Sequence, residues 1–340
     1  MFGLKTVALK KKWNLELGDH IISLISSPDG QFLATAIVSG QIFILSKKDG
    51  TIFRSFSGHQ FGTTSVSWLD SNTIVSAGQD GKIKIWNICD NVLLAELLGG
   101  NNWVECISVS YCRSFFASSS GKILRIWNKA GTLLQTFSDH TSTISDLAWK
   151  PNCTDLASSC YGGVGVFNPA KSNKIKAFDW KGSVLKLCWS PDGKYLATGD
   201  QDSTVHFWIY ASGRDLQMWG YSAKVRELSW NANSRYLATG GSCTVTVWDC
   251  SGKGPEGTKP ISLEAHDQSA LISALSYQNK GNYLLSGGQD GLIALWQPEK
   301  TKQSISEFLL KSEITQLSWS SDGKSFFAGT DVGEVVLYSI

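Results

Sequence analysis

The sequence predicts an all-β chain assembled from repeats of four short strands. Three observations predict it. A strand ending in a large residue recurs about every forty residues. Apolar and polar residues alternate with period two across short runs bounded by Gly, Asp and Ser. Two stretches far apart nearly coincide, SAGQDGKIKIWN at 76–87 and SGGQDGLIALWQ at 286–297.

The recurring strand ends at Leu45, Trp86, Trp127, Phe167, Trp208, Trp248, Trp296 and Tyr338, with spacings of 41, 41, 40, 41, 40, 48 and 42. A period of that size marks a repeat architecture. Each unit opens with an alternating strand such as SVLKLCW or KVRELSW. A turn follows, then a short apolar run such as KYLATG, RYLATG or NYLLSG, then the strand just described, and last a run such as GTIFRSF or GTLLQTF. The turns SPDG at 27–30 and 190–193 combine Pro, which sets φ, with Gly, which accepts positive φ. Two positions before the end of each first strand stand Leu24, Val66, Val109, Leu147, Leu187, Leu228, Leu275 and Leu317; the next position is small in seven of the eight units. A layered core needs such alternation of large and small side chains.

Composition narrows the functional classes. The chain has 340 residues, a net charge of +2, 18% charged and 42% hydrophobic residues, and 14 Trp. The near-neutral balance gives no electrostatic case for direct nucleic-acid binding, and Lys10–Lys12 are too few to change that. No apolar run reaches the roughly 18–20 residues that span a bilayer. The first twenty residues lack the pattern of a secretory leader. The eight cysteines form no CxxC pair, and several sit inside apolar strand patterns. Free, buried cysteines in a reducing compartment are expected, hence a cytoplasmic protein, or a nuclear one in a eukaryote.

The repeat is similar to that of the WD-repeat β-propeller family: Gly58-His59, a strand bearing Ser76, Asp80 in the next turn, then Trp86. The resemblance covers nearly the whole chain. It implies that His, Ser or Thr, Asp and Trp form a buried hydrogen-bonded chain that locks a unit. The full set occurs twice, as His59, Ser76, Asp80, Trp86 and as His266, Ser286, Asp290, Trp296. A third unit offers Thr198, Asp202 and Trp208, with Trp180 at the histidine position. Only Trp248-Asp249 keeps the dipeptide that names the family.

Eight strand-ending positions imply a single closed propeller over 1–340, with eight four-stranded blades rather than the commoner seven. The eighth unit supplies three strands. The N-terminal segment 1–20, through KWNLELGD at 12–19, is expected to close that last blade and remove its free edge. The 48-residue spacing places a flexible Gly-, Lys- and Pro-rich loop at 249–262 in the sixth unit.

No catalytic residue, metal site or cofactor is expected. His59, Ser76 and Asp80 mimic a hydrolase triad, but Ser76 lies within a strand and lacks a GxSxG elbow. None of the five histidines falls in a metal-ligand spacing, and no phosphate-binding Gly-rich loop occurs. Asp146, Lys186, Glu227 and Gln316 occupy equivalent first-strand positions where they could face a central channel. They support the alternative of a propeller enzyme or small-ligand binder. The family resemblance points instead to a monomeric scaffold that binds proteins or peptides on loop faces. The loops before the first and third strands would form one rim. They carry Phe61, Trp103, Trp180 and Tyr221, with Arg226 beside them and Gln79, Gln201 and Gln289 before the aspartate positions. Aromatics and Arg dominate interaction hot spots.

Overall fold

A computed structural model describes residues 9–252 and 254–340. Residues 1–8 of the expected closing segment 1–20, and Lys253 of the loop 249–262, lie outside them. Among the described residues there are strands and turns and no helix.

Each unit is an antiparallel meander. In the second, the strands Thr63–Trp68, Thr73–Gly78, Lys82–Asn87 and Val92–Leu98 pair in sequence order. Thr73–Gly78 is buried along almost its whole length, whereas Val92–Leu98 is largely exposed. The chain thus runs from the axis of the ring to its outer edge. The large strand-ending residues close the third strands, and Trp86, Trp127, Trp208 and Trp296 are buried there. The core lies between neighbouring units. Ala34, Ile42 and Ile44 of the first, for example, pack against Val66, Trp68 and Ile74 of the second. Removing each large apolar side chain from water stabilises the ring by about 1.5–3 kcal/mol.

The expectation of eight four-stranded blades is corrected. The described residues form seven hydrogen-bonded sheets, hence seven blades counted by sheet: six of four strands and one of six. The cause lies between the fourth and fifth units. Leu156–Phe167 and Lys176–Trp189 run on as long strands where other units break into loops. Gly162 and Gly163, at φ 105° and 118°, carry the backbone through a bend without ending the strand. Tyr161 then pairs with Ser183, so pairing passes from one unit to the next.

The innermost strands are tied to one another around the ring. Thr64 Oγ1 donates to Val104 O (2.5 Å), Ser145 Oγ to Val184 O (2.6 Å), Ser273 Oγ to Ile314 O (2.5 Å) and Thr315 Oγ1 to Ile21 O (2.7 Å). At the other end of these strands the bonds point back to the preceding unit. Trp68 Nε1 donates to Ile25 O, Trp149 to Ser108 O, Trp189 to Ala148 O and Trp319 to Ser276 O. The strand Lys10–Glu16 pairs antiparallel with Glu334–Ser339, in the sheet that also holds Ile314–Trp319 and Ser325–Thr330. Its Trp13 donates Nε1–H to Lys47 O (2.9 Å) and packs against Phe327. The ring of Trp13 also covers Gly50, where an added Cβ would lie 2.6 Å from it.

Of the segment 249–262, Gly254 and Pro255 are buried. Gly254 faces Phe207 and Leu216 of the fifth unit, and Glu256 takes two bonds from Arg214 (2.8 Å each).

Candidate interaction face and the network behind it

The meander fixes which loops share a face. The chain enters a unit at one end, so the loops before first strands and those between second and third strands lie together. The turns after first strands and the connections after third strands lie on the opposite face.

The repeated stretch is a buried polar chain. His59 Nε2 lies 2.8 Å from Ser76 Oγ, and Nδ1 lies 2.9 Å from Asp80 Oδ1. Trp86 Nε1 donates to Ser76 Oγ (2.9 Å). Burial holds His59 below its ordinary pKa, against the pull of Asp80. The imidazole is therefore neutral near pH 7, with Nδ1–H donating to Asp80 and Nε2 accepting from Ser76. Burial by itself would raise Asp80; the bonds from His59, Lys82 and Gln60 outweigh it and lower the carboxyl. His266 repeats the arrangement with Ser286 (2.8 Å) and Asp290 (3.1 Å), and Trp296 donates to Ser286 (2.8 Å). A Cβ at Gly78 would lie 2.2 Å from His59, and one at Gly288 2.5 Å from His266. The glycine before each Gln-Asp thus makes room for the imidazole. Ser76 and Ser286 are fully buried, so neither hydroxyl can meet a substrate.

Other units hold variants. Tyr221 stands in for histidine: Trp248 Nε1 donates to its phenol oxygen (2.9 Å), which bonds Thr239 Oγ1 (2.8 Å). His140 bonds Ser158 (2.7 Å) beside Phe167, which replaces the tryptophan. In the fifth unit Thr198 bonds Asp200 (3.2 Å), while Asp202 is exposed and bonds Thr204. The set of Thr198, Asp202 and Trp208 therefore does not assemble. His206, outside every set by sequence, is buried with Trp180 at 4.0 Å and Trp208 at 5.3 Å between ring centroids, and bonds Asp215 (2.8 Å).

The rim candidates thus divide. Phe61 is 75% exposed and Trp103 54%. Trp180 and Tyr221 are half-buried in the networks just described. Arg226 turns inward and lines two cavities of about 460 and 410 Å³ at the channel. Asp146 and Lys186 line the first, Glu227 and Gln316 the second. Lys186 pairs with Asp146 (3.1 Å), which raises the ammonium pKa. Burial pushes Glu227 up to about 7. Gln201 and Gln289 are exposed and Gln79 half-buried; Gln289 Oε1 accepts from Leu271 N (3.2 Å).

Sequence reasoning missed two exposed aromatics on the same face, Trp219 at 74% and Tyr161 at 54%. Trp219 was findable by the argument used for Trp103, because it follows a fourth strand directly. Val38, Leu271 and Val332 add exposed apolar side chains to that face. Phe61 has a φ of 68°, a left-handed conformation unusual for a bulky residue. Its loop is held by Gln60 N donating to Asp80 Oδ2 (3.2 Å) and by Thr63 Oγ1 donating to Gly40 O (2.5 Å).

Among the described residues no helix is long and apolar enough to cross a membrane, and no group of three His, Cys, Asp or Glu side chains is placed to hold a metal ion.

Comparison with known proteins agrees with this architecture. The family model described as WD domain, G-beta repeat matches residues 50–87, 91–128, 131–167, 173–208, 214–249 and 257–297. Autophagy-related protein 16 of Arabidopsis thaliana is 26% identical over 57% of this chain and 40% of its own length. Protein HIR1 of Eremothecium gossypii is 22% identical over 82% of the chain and 44% of its own length. WD repeat-containing protein slp1 of Schizosaccharomyces pombe is 26% identical over 86% and 55%. The chain spans about half the length of these curated relatives. The crystal structure of the computationally designed Ika8 protein matches with a TM-score of 0.82 at 23% identity, over 96% of this chain and 98% of that one. With six repeats matched across more than half of its residues, the chain belongs to the WD-repeat β-propeller family.

Proposed function

We propose that the chain is a non-enzymatic scaffold that binds a protein partner on the face bearing Phe61, Trp103, Tyr161 and Trp219. The observation that carries this reading is the distribution of exposed aromatics: these four, from four different units, share one face. Large rigid rings bury much area at low entropic cost. Phe61 is held out in a left-handed conformation by hydrogen bonds that also serve the His59 network. A fixed, projecting ring pays little ordering entropy on binding. The half-buried Trp180 and Tyr221 support the face from behind. An intracellular setting, cytoplasmic or nuclear, belongs to the same proposal.

The test compares capture from cell extract by the wild type, by a Phe61→Ala/Trp103→Ala/Trp219→Ala variant, and by Tyr111→Ala, which changes an exposed aromatic on the opposite face. Proteins retained by the wild type and Tyr111→Ala but lost by the triple variant, with melting unchanged, support the reading. Loss with Tyr111→Ala alone would move the site to the other face.

A second reading rests on the channel. Two polar cavities lined by Arg226, Lys186, Asp146 and Glu227 could hold a small polar ligand. A thermal-shift screen of metabolites, repeated on Lys186→Ala, separates this reading from the first.

A further inference from the structure

On the face opposite the aromatics, the turns between first and second strands share one design. Ser27, Ser190 and Ser320 each donate a hydroxyl hydrogen to the aspartate two residues on, at 2.6–2.7 Å. The same carboxylates accept a backbone amide from Gln31, Lys194 and Lys324. Each turn is a small cradle for a negative charge. In the third unit Cys112 takes the place of the aspartate. Ser110 Oγ lies 3.4 Å from its sulfur, and the amide of Ser114 also bonds it.

Turns of successive units touch. The fourth residue of one meets the turn before it: Ser234 Oγ accepts from Asp192 N (3.0 Å), and Gly30 lies against Ser321. Cys153 is the fourth residue of the next turn along from Cys112, at φ 65°. Its thiol donates to Pro151 O (3.8 Å) at the seam with the Cys112 turn, near enough that each sulfur perturbs the ionisation of the other. Where Ser234 meets the backbone of Asp192, the equivalent positions are Cys153 and Cys112, which places the two thiols on either side of one seam. Cys112 is exposed and opens on a surface cavity of about 540 Å³, large enough to admit a small reagent.

We propose that Cys112 and Cys153 are a reversible redox pair, oxidised to a disulfide between adjacent units by a low-molecular-weight disulfide. The Cys112 thiolate attacks one sulfur of the reagent; a mixed disulfide forms as the reagent's S–S bond breaks and one thiolate leaves. Cys153, having given its proton to solvent, attacks the Cys112 sulfur. The Cys112–Cys153 bond forms and the second thiolate leaves. Two protein thiols lose two electrons, and the reagent becomes two thiols that take up the two protons. Burial would raise the Cys112 thiol, but the bonds from Ser110 and Ser114 and the nearby Cys153 thiol outweigh it and set it at about 7, in the range of reactive thiols. Reversible pairs of this kind are the form disulfides take in reducing compartments.

The test uses the reduced full-length chain treated with oxidised glutathione at neutral pH, followed by acid quench and peptide mapping. The expected product has lost two hydrogen atoms and carries one cross-link between the peptides of Cys112 and Cys153, reversed by dithiothreitol. In Cys153→Ala the glutathione adduct is expected to remain on Cys112. In the reduced wild type, iodoacetamide is expected to label Cys112 about fivefold faster than Cys89, an exposed cysteine outside any such turn; the larger thiolate fraction is partly offset by lower nucleophilicity. Equal labelling of the two, or a stable glutathione adduct on wild-type Cys112 without the cross-link, would overturn the proposal.

Discussion

Trp248 donates its indole hydrogen to the phenol oxygen of Tyr221 across 2.9 Å, in the place where two other units use serine and histidine. The tyrosine enters from the histidine position, and its hydroxyl takes the place of the serine hydroxyl that accepts from tryptophan in those units. Tyr221→Phe leaves the half-buried Trp248 donor without its partner, while Thr239 keeps its bond to Thr246 O. The expected cost is about 1–3 kcal/mol in urea unfolding. A change below about half a kcal/mol would mean that the hydroxyl is dispensable.

His59→Ala removes the centre of a three-partner chain and leaves Ser76 and Asp80 with unmet bonds. The expected loss is on the order of 1–3 kcal/mol, with positive coupling to Asp80→Ala in a double-mutant cycle. Burial lowers the folded pKa of both His59 and His140. Below about pH 6.5 the unfolded chain takes up protons that the native state refuses, so stability falls as pH drops through that point. His59→Ala should soften this acid sensitivity, as read from unfolding midpoints between pH 5 and 8.

Asp200 works in the opposite sense. It is fully buried, its Oδ1 meets no partner, and burial raises its pKa to about 7 against the weaker pull of His206. Between about pH 4 and 7 the native state keeps a proton that the unfolded chain has released. Stability therefore declines as pH rises through that window. Asp200→Asn should stabilise the protein at pH 8, on the order of 2 kcal/mol, with a smaller gain at pH 5. Equal gains at both values would place the effect in packing and not in ionisation.

Trp13→Ala tests the seam between the two terminal segments. The substitution removes the bond to Lys47 O, the contact with Phe327 and the cover over Gly50. Since Trp13 is only half-buried, a loss of about 2–3 kcal/mol is expected, somewhat below that of a fully buried tryptophan. Calorimetry on the full chain measures it.

The repeat made most of the fold legible. The period, the strand-ending aromatics and the paired SAGQD and SGGQD stretches foretell meanders with buried third strands and two polar chains. The merging of the fourth and fifth units was not legible. The 41-residue spacing is unbroken there, and it is the backbone through Gly162 and Gly163, both at positive φ, that lets pairing run on. Site residues were half legible. Phe61 and Trp103 read as loop aromatics because polar residues precede them, His59-Gln60 and Asn101-Asn102. Tyr221 read the same way, although its partners Thr239 and Trp248 lie on separate strands and mark it as structural only in three dimensions. Arg226 sits at the start of a first strand, where one residue of register decides between rim and channel.

The bond from Thr315 to Ile21 joins residues 294 apart in the chain. A ribosome therefore releases Ile21 long before its partner exists. Until Ile314–Trp319 and Glu334–Ser339 emerge, the nascent ring is an open arc. Its first unit then presents Ile21, Leu33 and Leu45 to solvent, residues that end fully buried beside Phe327 and Val335. Loop closure of that length is slow, and the exposed flank is prone to associate with whatever is near. The seam that seals the finished molecule is thus the step at which its biosynthesis is most exposed to aggregation and most in need of a chaperone.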